Sequence, residues 1–124
     1  MAGISTYLEN KYLDCLVNAS GFNIAAVYIQ LHTGDPGSAG TANVATNNTR
    51  KTTAWAASSS GSKATNADIT WTSVPAGETY SYVSLWDAST NGNYLWSGAL
   101  TAAKTVNSGD TFTLTSGQVT VGLS

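Results

Sequence analysis

The segment YSYVSLWDASTNGNYLWSGAL, residues 80–100, decides the fold. Two runs rich in aromatic and aliphatic residues, 80–87 and 93–100, flank the dipeptide Asn91-Gly92. Asn-Gly accepts the positive φ that a type I′ turn demands at both central positions, so this pattern predicts a β-hairpin. With those two residues as the loop, Val83 faces Leu100 and Trp86 faces Ser97. Within the first run Tyr80, Tyr82 and Trp86 share one face of the strand, and Val83 and Leu85 occupy the other.

The same period of two extends outward from the hairpin. Toward the C-terminus, a turn at Ser116-Gly117 would pair Phe112 with Val121 and Leu114 with Val119, leaving Thr113 opposite Thr120 on the other face. Upstream, Ala67, Ile69 and Trp71 alternate with Asp68, Thr70 and Thr72. Residues 52–56 read as a weak strand and 57–66 as a low-complexity loop. The apolar run 24–31 suits a strand covered on both faces. It ends at His32, and Asp35-Pro36-Gly37-Ser38 follows with type II turn chemistry: Pro36 presets its own φ and Gly37 tolerates a positive one. Residues 38–49 read as a loop.

Residues 4–20 read as a helix. Thr6 and Glu9 have capping-box spacing, Gly21 stands where a C-cap belongs, and Ile4, Leu8, Tyr12, Leu16 and Ala19 fall along one face. Cys15 has the spacing of a core-facing residue. The expected architecture is mainly β: one domain over residues 1–124, with a helix at 4–20. Residues 22–124 form an antiparallel β-sandwich or barrel of jelly-roll type.

Charged residues make up 10% of the 124-residue chain, against roughly 25% in a typical soluble domain, and the formal charge is −2. With five Lys and Arg, of which only Arg50 and Lys51 are adjacent, no basic stripe is available to displace counterions from nucleic acid, so no nucleic-acid partner is expected. No stretch approaches a membrane span, the N-terminus lacks the plan of a signal peptide, and synthesis in a cytoplasm without export by the general secretory route is expected. The single cysteine offers neither an internal disulfide nor zinc-ligand spacing.

Chemistry finds few candidates. His32 is the only imidazole, and at the end of a strand it reads as locally hydrogen-bonded. Asp35 before Pro36 reads as a turn initiator. No nucleophile elbow, acidic calcium loop or phosphate-cradling glycine motif is present, so no catalytic residue, metal or cofactor is expected. A facing pair among Asp68, Glu78, Asp87 and Asp110 stays open as a glycosidase arrangement. The aromatics carry more. Either both faces of the 80–87 strand are covered within the chain, or Tyr80, Tyr82 and Trp86, with Trp96 beside them, form a subunit contact. Ile4, Leu8 and Tyr12 face the same choice between packing on the sandwich and packing on a partner.

The strings LHTGDPG with ANV after it, SKATNADITW, and YVSLWDASTNGNYLWSGALTAAKTVNSGDTFTLTSGQVTVGLS resemble a family of small virion proteins of tailed bacteriophages. The resemblance runs from about Leu31 to the C-terminus and leaves the N-terminal helix outside it. Trp71 replaces the Phe usual in the family, and residues 46–51 (TNNTRK) replace a Tyr-Arg pair. The resemblance implies a non-enzymatic virion component, labelled in this family as tail-fibre or minor tail protein, with some small all-β virion proteins serving as head decoration. One short domain without a shaft ranks head decoration first. The partner is then the major capsid protein, and the state on the head surface a homo-oligomer, a trimer by preference. The alternative is a short tail or baseplate-associated protein acting in host attachment, with tail proteins as partners.

Overall fold

A computed structural model of the chain describes residues 3–17 and 24–122. Its elements, in order, are β1 (Gly3–Ile4), α1 (Thr6–Val17), β2 (Tyr28–His32), β3 (Lys51–Thr52), β4 (Ser62–Ala64), β5 (Ile69–Trp71), β6 (Glu78–Trp86), β7 (Tyr94–Val106), β8 (Phe112–Leu114) and β9 (Thr120–Gly122). The fold is mainly β and sandwich-like, with antiparallel pairing throughout. A five-stranded sheet runs β1-β7-β6-β2-β3, and β4-β9 and β5-β8 form two short ribbons. Ile29, Leu31, Val83, Leu85 and Leu95 of the large sheet pack against Ile69, Trp71, Phe112 and Leu114 of the β5-β8 ribbon in one core. Tyr80 and Phe112 meet across it with ring centroids 4.9 Å apart, a spacing favoured by tilted aromatic pairs.

The central hairpin forms in a different register from the expected one. Val83 pairs with Gly98 and Trp86 with Tyr94. Asp87 is the reason. Its Oδ1 accepts the Asn93 amide at 2.7 Å and its Oδ2 accepts Asn93 Nδ2 at 2.9 Å, which closes the loop around residues 88–92. Asn91 and Gly92 do take positive φ, 57° and 81°, but inside this longer loop. Leu95 is left without a partner in β6 where the register shifts, and its carbonyl accepts the Ser5 amide on the other side.

A second irregularity reassigns a face. Between the pairs Tyr80↔Lys104 and Tyr82↔Ala99, residues 100–103 of β7 stand opposite Ser81 alone. The shift turns Tyr80 inward to join Val83 and Leu85, so Tyr80 is fully buried and leaves the face expected to carry Tyr82 and Trp86. Gly98, facing Val83, has no room for a Cβ because the Trp96 indole lies across it.

The C-terminal hairpin does not form. β8 pairs with β5, Phe112 opposite Trp71 and Leu114 opposite Ile69, while β9 pairs with β4, Val121 opposite Lys63. Thr113 therefore meets Thr70, their hydroxyls 3.2 Å apart. The turn is present, Gln118 donating its amide to the Thr115 carbonyl. Thr65 then takes the chain away from β8: its carbonyl accepts the Gly117 amide and its own amide donates to the Val119 carbonyl. Phe112, Leu114 and Val119 are buried as their alternation requires, although the partners differ.

The helix starts one residue earlier in its capping logic. Ser5, not Thr6, is the N-cap: its Oγ accepts the Leu8 amide at 3.2 Å and its carbonyl accepts the Glu9 amide. Ile4 lies in β1 opposite Trp96, outside the helix. Leu8 is buried, but exposure rises to 43% at Tyr12 and 78% at Leu16, so only the first turns seat on the sandwich. Cys15, expected inward, is exposed for the same reason. The expected helix residues 18–20, including Ala19, and the Gly21 cap lie outside the described residues.

Candidate functional site

The outer face of the large sheet, away from the core, is roofed by the loop of residues 33–50. His32 and Ser84 on this face are fully buried, and Pro36 in the loop is too. The loop begins at the predicted corner: Gly37 has φ +78°, as the third position of a type II turn requires, and its amide donates to Asp35 Oδ1 at 2.9 Å. Gly40, with φ +74°, lies so close to the Tyr94 ring that a Cβ would stand 2.6 Å from it.

Under this roof a hydrogen-bond relay has one self-consistent polarity. Trp86 Nε1–H donates to Ser84 Oγ at 2.7 Å, Ser84 Oγ–H donates to His32 Nε2 at 2.7 Å, and His32 Nδ1–H donates to the Ala42 carbonyl at 2.9 Å. A carbonyl only accepts, so Nδ1 carries a proton, and because burial disfavours the charged ring, Nε2 is left as the acceptor for Ser84. Burial pulls the His32 pKa below its ordinary 6.5, against the pull of backbone contacts at Ala42 and Asn43, and the Arg50 charge lowers it further. A serine–histidine contact of this length is also the geometry of an activated nucleophile. Here both residues are sealed, the serine hydroxyl is committed at both ends, and the group orienting the imidazole is a backbone carbonyl.

The carboxylates are occupied in a related way. Glu78 accepts the amides of Thr46 and Asn47 at 2.9 and 3.0 Å, Asp110 that of Asn107 at 2.8 Å, and Asp68 that of Ser116 at 2.8 Å. With Asp87 on Asn93, all four acids considered as a glycosidase pair are pinning loops. Among the described residues no group of three His, Cys, Asp or Glu side chains is placed to hold a metal ion, and no helix is long and apolar enough to cross a membrane.

The six residues expected at an interface are divided by the fold. Tyr80 is in the core. Tyr82 is half-buried beside His32 in the ladder, and Trp86 is covered by Arg50. Ile4, Leu8 and Trp96 come together: Ile4 pairs with Trp96, and both Leu8 and Trp96 line an open apolar groove of about 280 Å³. Its walls come from both layers and the helix, with Leu85 and Leu95 from the large sheet, Val121 from β9, and Tyr12 from α1. Trp55 and Lys63 are also among its lining residues. Sequence reasoning missed these last two; an isolated Trp in an alanine-rich run was the one available sign. It missed Arg50 as well, the chain's single arginine.

The family model described as Podophage GP4 fiber I protein gp80 matches residues 3–122, and the chain belongs to that family. It is a bacteriophage structural protein and a virion component. The match takes in α1 and β1, which the resemblance noted from sequence had left outside. No curated protein matches the chain.

Proposed function

We propose that this chain is a non-enzymatic structural subunit of a podophage tail fibre. The observation that carries this is the fibre-family match over residues 3–122. Head decoration, ranked first from sequence, rested on short length, the absence of a fibre shaft and a charge-poor surface, with the further supposition that the N-terminal helix, outside the resemblance, touches the capsid; the family match covers that helix. The tail reading also suits the chemistry: the relay through His32 and the loop-pinning acids hold the fold, leaving the apolar groove and half-buried aromatics for contacts with neighbours. Copies repeated by symmetry would bind their neighbours tightly through many weak contacts.

Purified virions test this. Immunogold labelling and quantitative staining should place the protein at the tail in a small copy number relative to the major capsid protein. Label spread over the head, at a copy number comparable with the capsid protein, would overturn the fibre assignment and restore decoration. A hydrolytic activity of the purified protein that a folded His32→Gln variant loses would overturn the non-enzymatic part.

A further inference from the structure

We propose that α1 of a second copy of this chain docks by Leu13, Leu16 and Val17 into the groove beside Trp96. The two halves of the contact are both on each chain. The ridge is the outer side of α1, where Leu13, Leu16 and Val17 are 56%, 78% and 79% exposed. The groove of about 280 Å³ lies just below the roughly 300–1,000 Å³ typical of small-molecule sites, and its walls are mostly apolar, with the polar Ser58, Ser62 and Lys63 among them. That size and lining suit the anchoring side chains of a protein partner better than a polar ligand.

Charge selects the partner. Glu9, Leu13 and Leu16 are spaced i, i+4, i+7 and lie along one stripe of α1, so an acid leads the ridge. Lys63 lines the groove. A helix laid into the groove with its leucines down brings a carboxylate toward this ammonium. The same helix also supplies Leu8 and Tyr12 to the groove wall, so ridge and groove are continuous on the surface, and every copy can give and receive. The contact stands independently of whether the protein sits on tail or head.

Sedimentation velocity of the full chain over a concentration series is the test, with tryptophan emission as a second readout because Trp55 and Trp96 line the groove. Self-association is expected, with emission moving to the blue as it proceeds. Leu16→Glu, at an exposed position, should keep the circular dichroism spectrum and raise the dissociation constant by at least about tenfold. Glu9→Lys and Lys63→Glu should each weaken association, and the two together should recover much of it. A chain that stays monomeric at its solubility limit overturns the proposal. Association unchanged by Leu16→Glu, or a charge-swapped double variant no better than either single, overturns it equally.

Discussion

The Arg50 guanidinium lies over the Trp86 indole, its central carbon 4.1 Å from the ring centroid. The same group donates through Nη1 to the carbonyls of Ala88 and Asn91 at 2.8 and 2.7 Å. One side chain thus ties the roof loop, the outer sheet face and the 88–92 loop together. Lysine cannot reproduce the planar stack with the paired donors. Arg50→Lys should cost about 1–2 kcal/mol, and Arg50→Ala more, because it also leaves Trp86 uncovered. Urea unfolding followed by tryptophan fluorescence measures both; equal stability of Arg50→Lys and wild type would deny the clamp its role.

His32 makes stability depend on pH. Its folded pKa lies below its ordinary 6.5, so between those two values the unfolded chain binds more protons. The neutral imidazole's contribution is therefore fully present above pH 6.5 and is lost as pH falls from 6.5 through the lower folded value. Midpoints of urea unfolding should decline over that window in wild type, and the decline should be shallower in His32→Gln. Parallel profiles for the two proteins would contradict the neutral, buried relay.

Among the described residues, the buried Tyr80 hydroxyl and Asn47 Nδ2 in the roof loop have no hydrogen-bond partner. Burial raises the Tyr80 pKa, with the Asn47 side chain pulling it down more weakly. Removing an unsatisfied buried hydroxyl relieves a desolvation cost, so Tyr80→Phe should match wild type or gain up to about 1 kcal/mol. Tyr80→Ala should lose about 3–5 kcal/mol from the core. A Tyr80→Phe protein clearly less stable than wild type would mean that the hydroxyl has a partner.

Ser5 and Thr6 separate the observed cap from the expected one. Ser5→Ala removes the acceptor for the Leu8 amide and should cost about 1 kcal/mol, while Thr6→Ala, inside the first turn and exposed, should cost little. Thermal melts of the two variants decide the matter, and a reversed order would restore the Thr6–Glu9 capping box.

Local signals were readable, and long-range ones were not. The alternation at Ile69–Trp71, the positive φ at Gly37 and the inward set Phe112, Leu114 and Val119 were all legible, since each follows from neighbours in the chain. What sequence could not supply was the choice of partner strand. Thr65 competes for the chain after Gly117 from more than fifty residues away, and Asp87 closes a loop that Asn91-Gly92 alone would have made tighter. The irregularity opposite Ser81 that turns Tyr80 inward has no glycine or proline to announce it. The groove was half visible for a similar reason. Leu8 and Trp96 stood out as an amphipathic position and a surplus aromatic, whereas Trp55 and Lys63 reach it only through the packing of a second layer.

Ionic strength is where the pinned acids have their widest effect. Asp68, Glu78, Asp87 and Asp110 are each held by the amide groups of a nearby loop at 2.7–3.0 Å. Dissolved salt weakens attraction between separated exposed charges, but an amide in contact with a carboxylate offers it little to screen. Loops fastened this way should change little in stability as ionic strength rises, which unfolding midpoints measured across a salt series would check.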